Sequence, residues 1–144
     1  MKKLLIIAAA FIAISLQVSA NSSNKTKDDK DDSINVFVHS NASKIVWHYH
    51  DNFDIATFTK DGYLMKAYYD AQGNMVSTTR ALKNRNELPM VVLNNLDKQY
   101  PGWGMTDLFE ENGLDKEMVY YAKVTDGDRS LILKITPKGR ISKF

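Results

Sequence analysis

Apolar and polar positions alternate with a period of two over most of this chain, and one segment breaks that rhythm with a period near four. Lys44–His50 puts Ile45, Trp47 and Tyr49 on one side and Val46, His48 and His50 on the other, the pattern of a half-buried strand. Asp54–Lys60, Tyr63–Asp70 and Asn74–Leu82 repeat it, parted by Asp61-Gly62 and by Asp70-Ala71-Gln72-Gly73. Glycine accepts the positive φ of a primed hairpin turn, so these four strands read as an antiparallel meander. The interruption follows. Leu88, Val92, Leu93, Leu96 and Tyr100 recur at three- and four-residue steps, and Asn94, Asn95, Asp97, Lys98 and Gln99 fill the other side. This predicts a helix of about three turns over Leu88–Tyr100. Pro89 suits a first turn, where no N–H is required, and Pro101 with Gly102 ends the helix and turns the chain away. Met105–Glu111, Glu117–Thr125, Arg129–Thr136 and Arg140–Phe144 then resume the strand pattern, bounded by Asn112-Gly113, Asp126-Gly127 and Pro137-Lys138-Gly139.

The expected fold class is α+β, an antiparallel β-sheet of seven or eight strands in two meanders, with one helix packed across one face. Alternation assigns Trp47, Tyr49, Phe58, Met65, Tyr69, Tyr120, Leu131, Leu133 and Ile135 to the helix side. It assigns His48, His50, Lys66, Tyr68, Tyr121, Lys123 and Lys134 to the open side. Asp61-Gly62 recurs as Asp126-Gly127 after 65 residues, and Gly73-Asn74-Met75 as Gly139-Arg140-Ile141 after 66, which suggests a duplicated unit of helix plus meander. The helix of the first copy would fall around Ser33–His39, where Ile34–Val38 is a short apolar piece of ambiguous type.

The front of the chain changes how the composition is read. Lys2 and Lys3, the apolar run Leu4–Leu16 and the small residues Val18-Ser19-Ala20 have the form of a secretory signal peptide cleaved after Ala20. The apolar run is shorter than the roughly 20 residues a bilayer span needs, so a membrane anchor fits less well. Removing 20 of the 144 residues removes the whole formal charge of +2, and the remaining 124 are formally neutral. No basic stripe is then left for nucleic acid. The chain has no cysteine, hence neither a disulfide framework nor a lipoprotein attachment site. A periplasmic or secreted destination is expected. Residues 21–33 are polar and read as a tether, and 34–144 as a single domain large enough for its own core. Asp28, Asp29, Asp31 and Asp32 lack the glycine that a calcium loop needs.

Asn41-Ala42 with Ile45-Val46-Trp47, Ala56 and Phe58, and Ala67-Tyr68-Tyr69-Asp70 with Gly73 share their order and spacing with a known family, as do Leu88-Pro89, Tyr100-Pro101 and Val119-Tyr120-Tyr121. Over roughly Asn41 to Phe144 the chain resembles the beta-lactamase-inhibitor-like, PepSY-like proteins exported by Bacteroidota-type bacteria. That resemblance implies a helix packed on an antiparallel sheet and no established activity.

Candidate chemistry is sparse. His48 and His50, two apart on a strand, share a face at roughly 7 Å. With Asp51 or Asp54, and with His39 as the remaining histidine, they are the residues from which a metal or small-ligand site would be built. Only two ligands are placed, so no metal and no cofactor is assigned. No G-x-S-x-G elbow or phosphate-cradling glycine loop occurs, and Glu110-Glu111 point to opposite faces of a strand, so no catalytic residue is assigned and no enzyme is expected. The open face is the better lead. Tyr68 and Tyr121 are read there either as cross-strand pairs that stabilise the sheet or, with His48, His50, Lys66 and Lys123, as a contact surface for a protein or peptide partner.

Overall fold

The computed structural model describes residues 45–113 and 117–144. Among these residues eight strands form one open antiparallel sheet in strict chain order. They are β1 (Val46–Tyr49), β2 (Phe53–Lys60), β3 (Tyr63–Asp70), β4 (Met75–Ala81), β5 (Gly104–Gly113), β6 (Met118–Thr125), β7 (Ser130–Ile135) and β8 (Ile141–Lys143). The α-helix α1 (Met90–Gln99) connects β4 to β5. The expected α+β class is thus the observed one, and the two meanders join edge to edge where β4 pairs with β5.

Pro89 stands one place earlier than expected. It is the N-cap, with φ −55° and ψ 144°, and its carbonyl accepts from the N–H groups of Val92 (2.9 Å) and Leu93 (3.1 Å). Upstream, a 3₁₀ turn over Arg85–Glu87 is capped reciprocally by Asn84 and Glu87. That turn is absent from the periodicity because it buries nothing. α1 lays Val92 and Leu96 on Tyr120, Ala122, Val124, Leu133 and Ile135 of β6 and β7, with Leu82, Leu88 and Leu108 closing the cluster. Fully burying a side chain of this size contributes roughly 1.5–3 kcal/mol. A second apolar cluster on the same face gathers Ala56, Phe58, Ala67 and Tyr69, with Ile45, Trp47 and Met75 against it. Across the seam on this side, Arg80 donates from Nε and Nη2 to both carboxylate oxygens of Glu110, each at 2.9 Å. The bidentate pair holds the meanders in register.

The two meanders resemble each other in bonding. The N–H of Gly73 donates to the Asp70 carbonyl and that of Gly139 to the Thr136 carbonyl, both at 2.8 Å. The side chains of Asp70 and Thr136 accept from the N–H groups of Asn74 and Arg140. Gly73 and Gly139 take φ of 79° and 83°. Ala56 faces Ala67 as Ala122 faces Leu133, so the sheet repeats in steps of 66. The Asp-Gly dipeptides, 65 apart, are one place out of that register. In the first hairpin Asp61 and Gly62 both adopt positive φ; in the second only Gly127 does, and Asp126 closes the strand end with its carboxylate on the N–H groups of Asp128 and Arg129. The first-copy helix expected around Ser33–His39 lies outside the described residues, as do the expected leader and tether.

Candidate binding face

Cross-strand partners share a face, so the register places each candidate side chain. His48, Ile55, Tyr68 and Ser77 form one row across β1–β4. Thr57, Lys66, Thr79 and Glu111 form the next, and Ala81, Phe109, Tyr121 and Lys134 a third. Lys123 lies opposite Asp107 and Ile132. His50 follows the end of β1 and stacks on Phe53 at 4.5 Å between ring centroids. All six candidates therefore stand on the side of the sheet opposite α1, as alternation required.

Their exposure differs from expectation. His48 and His50 are exposed and Lys66 and Lys123 half-buried, but Tyr68 is only 2% exposed and Tyr121 0%. The reason is position. A phenol ring in the middle of a wide sheet has neighbours along its strand and across both partners. Tyr68 packs with Ile55, Phe53 and Val76. Tyr121 stacks on Phe109 (5.3 Å) and meets Phe144 edge-on (5.6 Å), and the Lys134 ammonium lies 6.0 Å from its ring centroid. The two tyrosines are the floor of this face, which favours the stabilising role over direct contact for them.

The floor is polar as well as aromatic. Ser77, Thr79 and Glu111 are buried among the tyrosines. Glu111, 5% exposed, is the residue that alternation alone did not single out; its sequence signal was a charged side chain in a central strand on the same side as Tyr121. Burial pushes its carboxyl above the usual carboxylate range, against the opposing influence of the Ser77 hydroxyl and the Lys134 charge. Burial, followed by the Glu111 charge, raises the Tyr121 phenol. Burial likewise raises Tyr68, whose hydroxyl bonds with Thr79. Lys66 moves the other way, since burial holds its ammonium below the ordinary lysine value.

Among the described residues the histidines do not assemble a metal centre. Asp54 is opposite Tyr49, on the α1 side, and only 4% exposed, so it is turned away from His48 and His50. Among the described residues no three His, Cys, Asp or Glu side chains converge on one point, and His39 lies outside them. Glu110 and Glu111 do stand on opposite faces, one engaged by Arg80 and the other in the polar floor. Near the start of β5, Leu82–Arg85 and Trp103–Leu108 border an open cleft of about 370 Å³, remote from the histidines.

An open antiparallel sheet of eight strands with a helix on one side is a BLIP-like fold, and the solved structures that this chain resembles share it. A BLIP-like protein of Bacteroides fragilis superposes with a TM-score of 0.74 at 20% identity, over 85% of this chain and 88% of that one. A DUF2874 family protein of Bacteroides uniformis does so with a TM-score of 0.73 at 17% identity, over 83% and 90%. A Bacteroides eggerthii protein to which a periplasmic location is ascribed gives 0.73 at 14% identity, over 83% and 90%. At these identities the likeness is one of fold. No family model matches the chain, and no curated protein does.

Proposed function

We propose that this chain is an exported, non-catalytic binding module of the beta-lactamase-inhibitor-like, PepSY-like kind, which takes a protein or peptide on the sheet face opposite α1. In this reading residues 1–20 are a leader removed after Ala20, 21–33 a tether and 34–144 the binding domain, working in the periplasm or outside the cell. One observation carries it. The face holds a packed aromatic and polar floor, and His48, His50, Lys66 and Lys123 stand over it beside the exposed apolar side chains of Val46, Leu64 and Phe144. The only α-helix among the described residues lies on the other side. A rigid floor with mixed apolar and cationic groups above it suits recognition, because anchors held in place lose little entropy on binding. The leader-like start and the periplasmic location ascribed to the Bacteroides eggerthii protein support export.

The test uses the processed chain purified from the periplasm, with Leu64→Glu on the proposed face and Met90→Glu on α1 as control, both at exposed positions. A protein captured from periplasmic extract by wild type and by Met90→Glu, and lost with Leu64→Glu, supports the assignment. Equal capture by all three, or none by wild type, refutes it. N-terminal sequencing that begins elsewhere than Asn21 would overturn the cleavage site.

A further inference from the structure

We propose that the partner presents a carboxylate to Lys66, so that the segment seated on this face is an acidic one. The proposal deepens the binding-face reading and rests on it. Lys66 lies in the middle of β3, between Thr57 and Thr79 across the strands and Leu64 and Tyr68 along its own. It is half-buried, and none of the ion pairs formed by described carboxylates involves it. The acids on its side of the sheet are committed elsewhere. Glu111 is buried beside Ser77 and Tyr121, with the Lys134 charge acting on it. Asp70 closes its own turn, accepting from the N–H groups of Gln72 (3.0 Å) and Asn74 (2.8 Å). Asp107 stands on β5, two strands away, where it accepts from Thr106 Oγ1 (3.3 Å). Lys66 is therefore, among the described residues, a half-buried cation that no ion pair compensates.

Charge complementarity then selects the occupant. Folding has already stripped part of the water from the Lys66 ammonium, so an incoming carboxylate meets a cation whose desolvation is partly complete. Hydrogen bonds between such ionised groups are roughly twice as strong as neutral ones. The residues on both sides across the strands, Thr57 and Thr79, bring no competing charge. A cationic segment would instead meet Lys66, Lys123 and Lys134 together, and like charges across an interface are strongly disfavoured.

A random peptide library displayed on phage and selected against the processed wild-type chain supplies the probe. Selected peptides are resynthesised with each Asp or Glu replaced by Asn or Gln. The expected result is an acid at one fixed peptide position whose neutralisation weakens binding at least tenfold to wild type and leaves binding to Lys66→Met unchanged. Lys66→Arg should retain most of the preference. Peptides that bind wild type and Lys66→Met equally, with no loss on neutralisation, overturn the carboxylate proposal; the face reading survives that result if Leu64→Glu still abolishes binding. Binding untouched by Leu64→Glu refutes the face itself, and a selection that yields no binder counts against both. Lys66→Met must melt as cooperatively as wild type, which is expected because it removes only a poorly solvated charge.

Discussion

The two faces of the sheet each carry central tyrosines, Tyr69 and Tyr120 under the α1 side and Tyr68 and Tyr121 on the other, and all four are buried. The surroundings differ. On the α1 side the buried neighbours are chiefly aliphatic, Val92, Leu96, Leu108, Val124, Leu133 and Ile135, and the charged pair Arg80–Glu110 sits at the part-exposed seam. On the opposite side the buried neighbours include Ser77, Thr79 and Glu111. The α1 side also buries Asp54 and Thr78, but a helix covers most of its aliphatic core. The opposite side has no helix over it among the described residues, and its aromatic rings close over buried hydroxyls and a carboxyl, with Thr57 Oγ1 buried there without a hydrogen bond. A packed floor that keeps polar atoms close to the surface is what a recognition surface requires and a core does not.

The largest break in that comparison is expected from Leu96→Ala. It removes an aliphatic side chain from under α1 and should cost about 2–5 kcal/mol in urea unfolding, depending on how far the cavity collapses. Gly139→Ala should follow, at about 1–3 kcal/mol. A Cβ there would stand 2.6 Å from the Asn95 amide nitrogen and 3.1 Å from the Val91 carbonyl, where the β7–β8 turn buttresses the helix, and φ is already 83°. The Asn95 amide now donates to the Gly139 carbonyl at 2.9 Å. Gly102→Ala, at φ 76° with no atom within 4 Å, is the control that separates the clash from the backbone strain.

On the opposite face the effects are smaller and carry a different signature. Tyr68→Phe deletes a hydroxyl bonded with Thr79 and should cost about 1 kcal/mol, with little change in the denaturant slope. Glu111→Gln sharpens the comparison through pH. Its folded carboxyl titrates above the unfolded value, so its contribution to stability is fully present at acid pH and is lost as pH rises through the folded value. Wild-type stability should thus fall on going from acid toward neutral pH more than that of Glu111→Gln. Parallel pH profiles for the two proteins would show that the buried acid is not held in its neutral form.

The positions of the strands were readable because alternation and turn chemistry are local. Leu88–Tyr100 could be read as a helix from a single apolar stripe, and it runs from Met90 to Gln99. The duplicated turns were visible too, although the true step of 66 emerged only from cross-strand pairing. The candidate site was legible by side and not by depth. Alternation put Tyr68 and Tyr121 on the correct face, and no local pattern reports that Ile55, Phe109 and Phe144 would close over them. Asp54 stood near His48 and His50 in sequence, yet the period-two geometry of the β1–β2 pair sends it to the other face.

By itself the amino-acid order determined which residues share a side of the sheet, because backbone pleating fixes that parity within each strand. Only the tertiary structure decided which of them meet water, and that Glu111 and Lys66 would both lose part of theirs. Solvent access depends on neighbours from strands far apart in the chain, and a charge acquires its environment only when those strands come together.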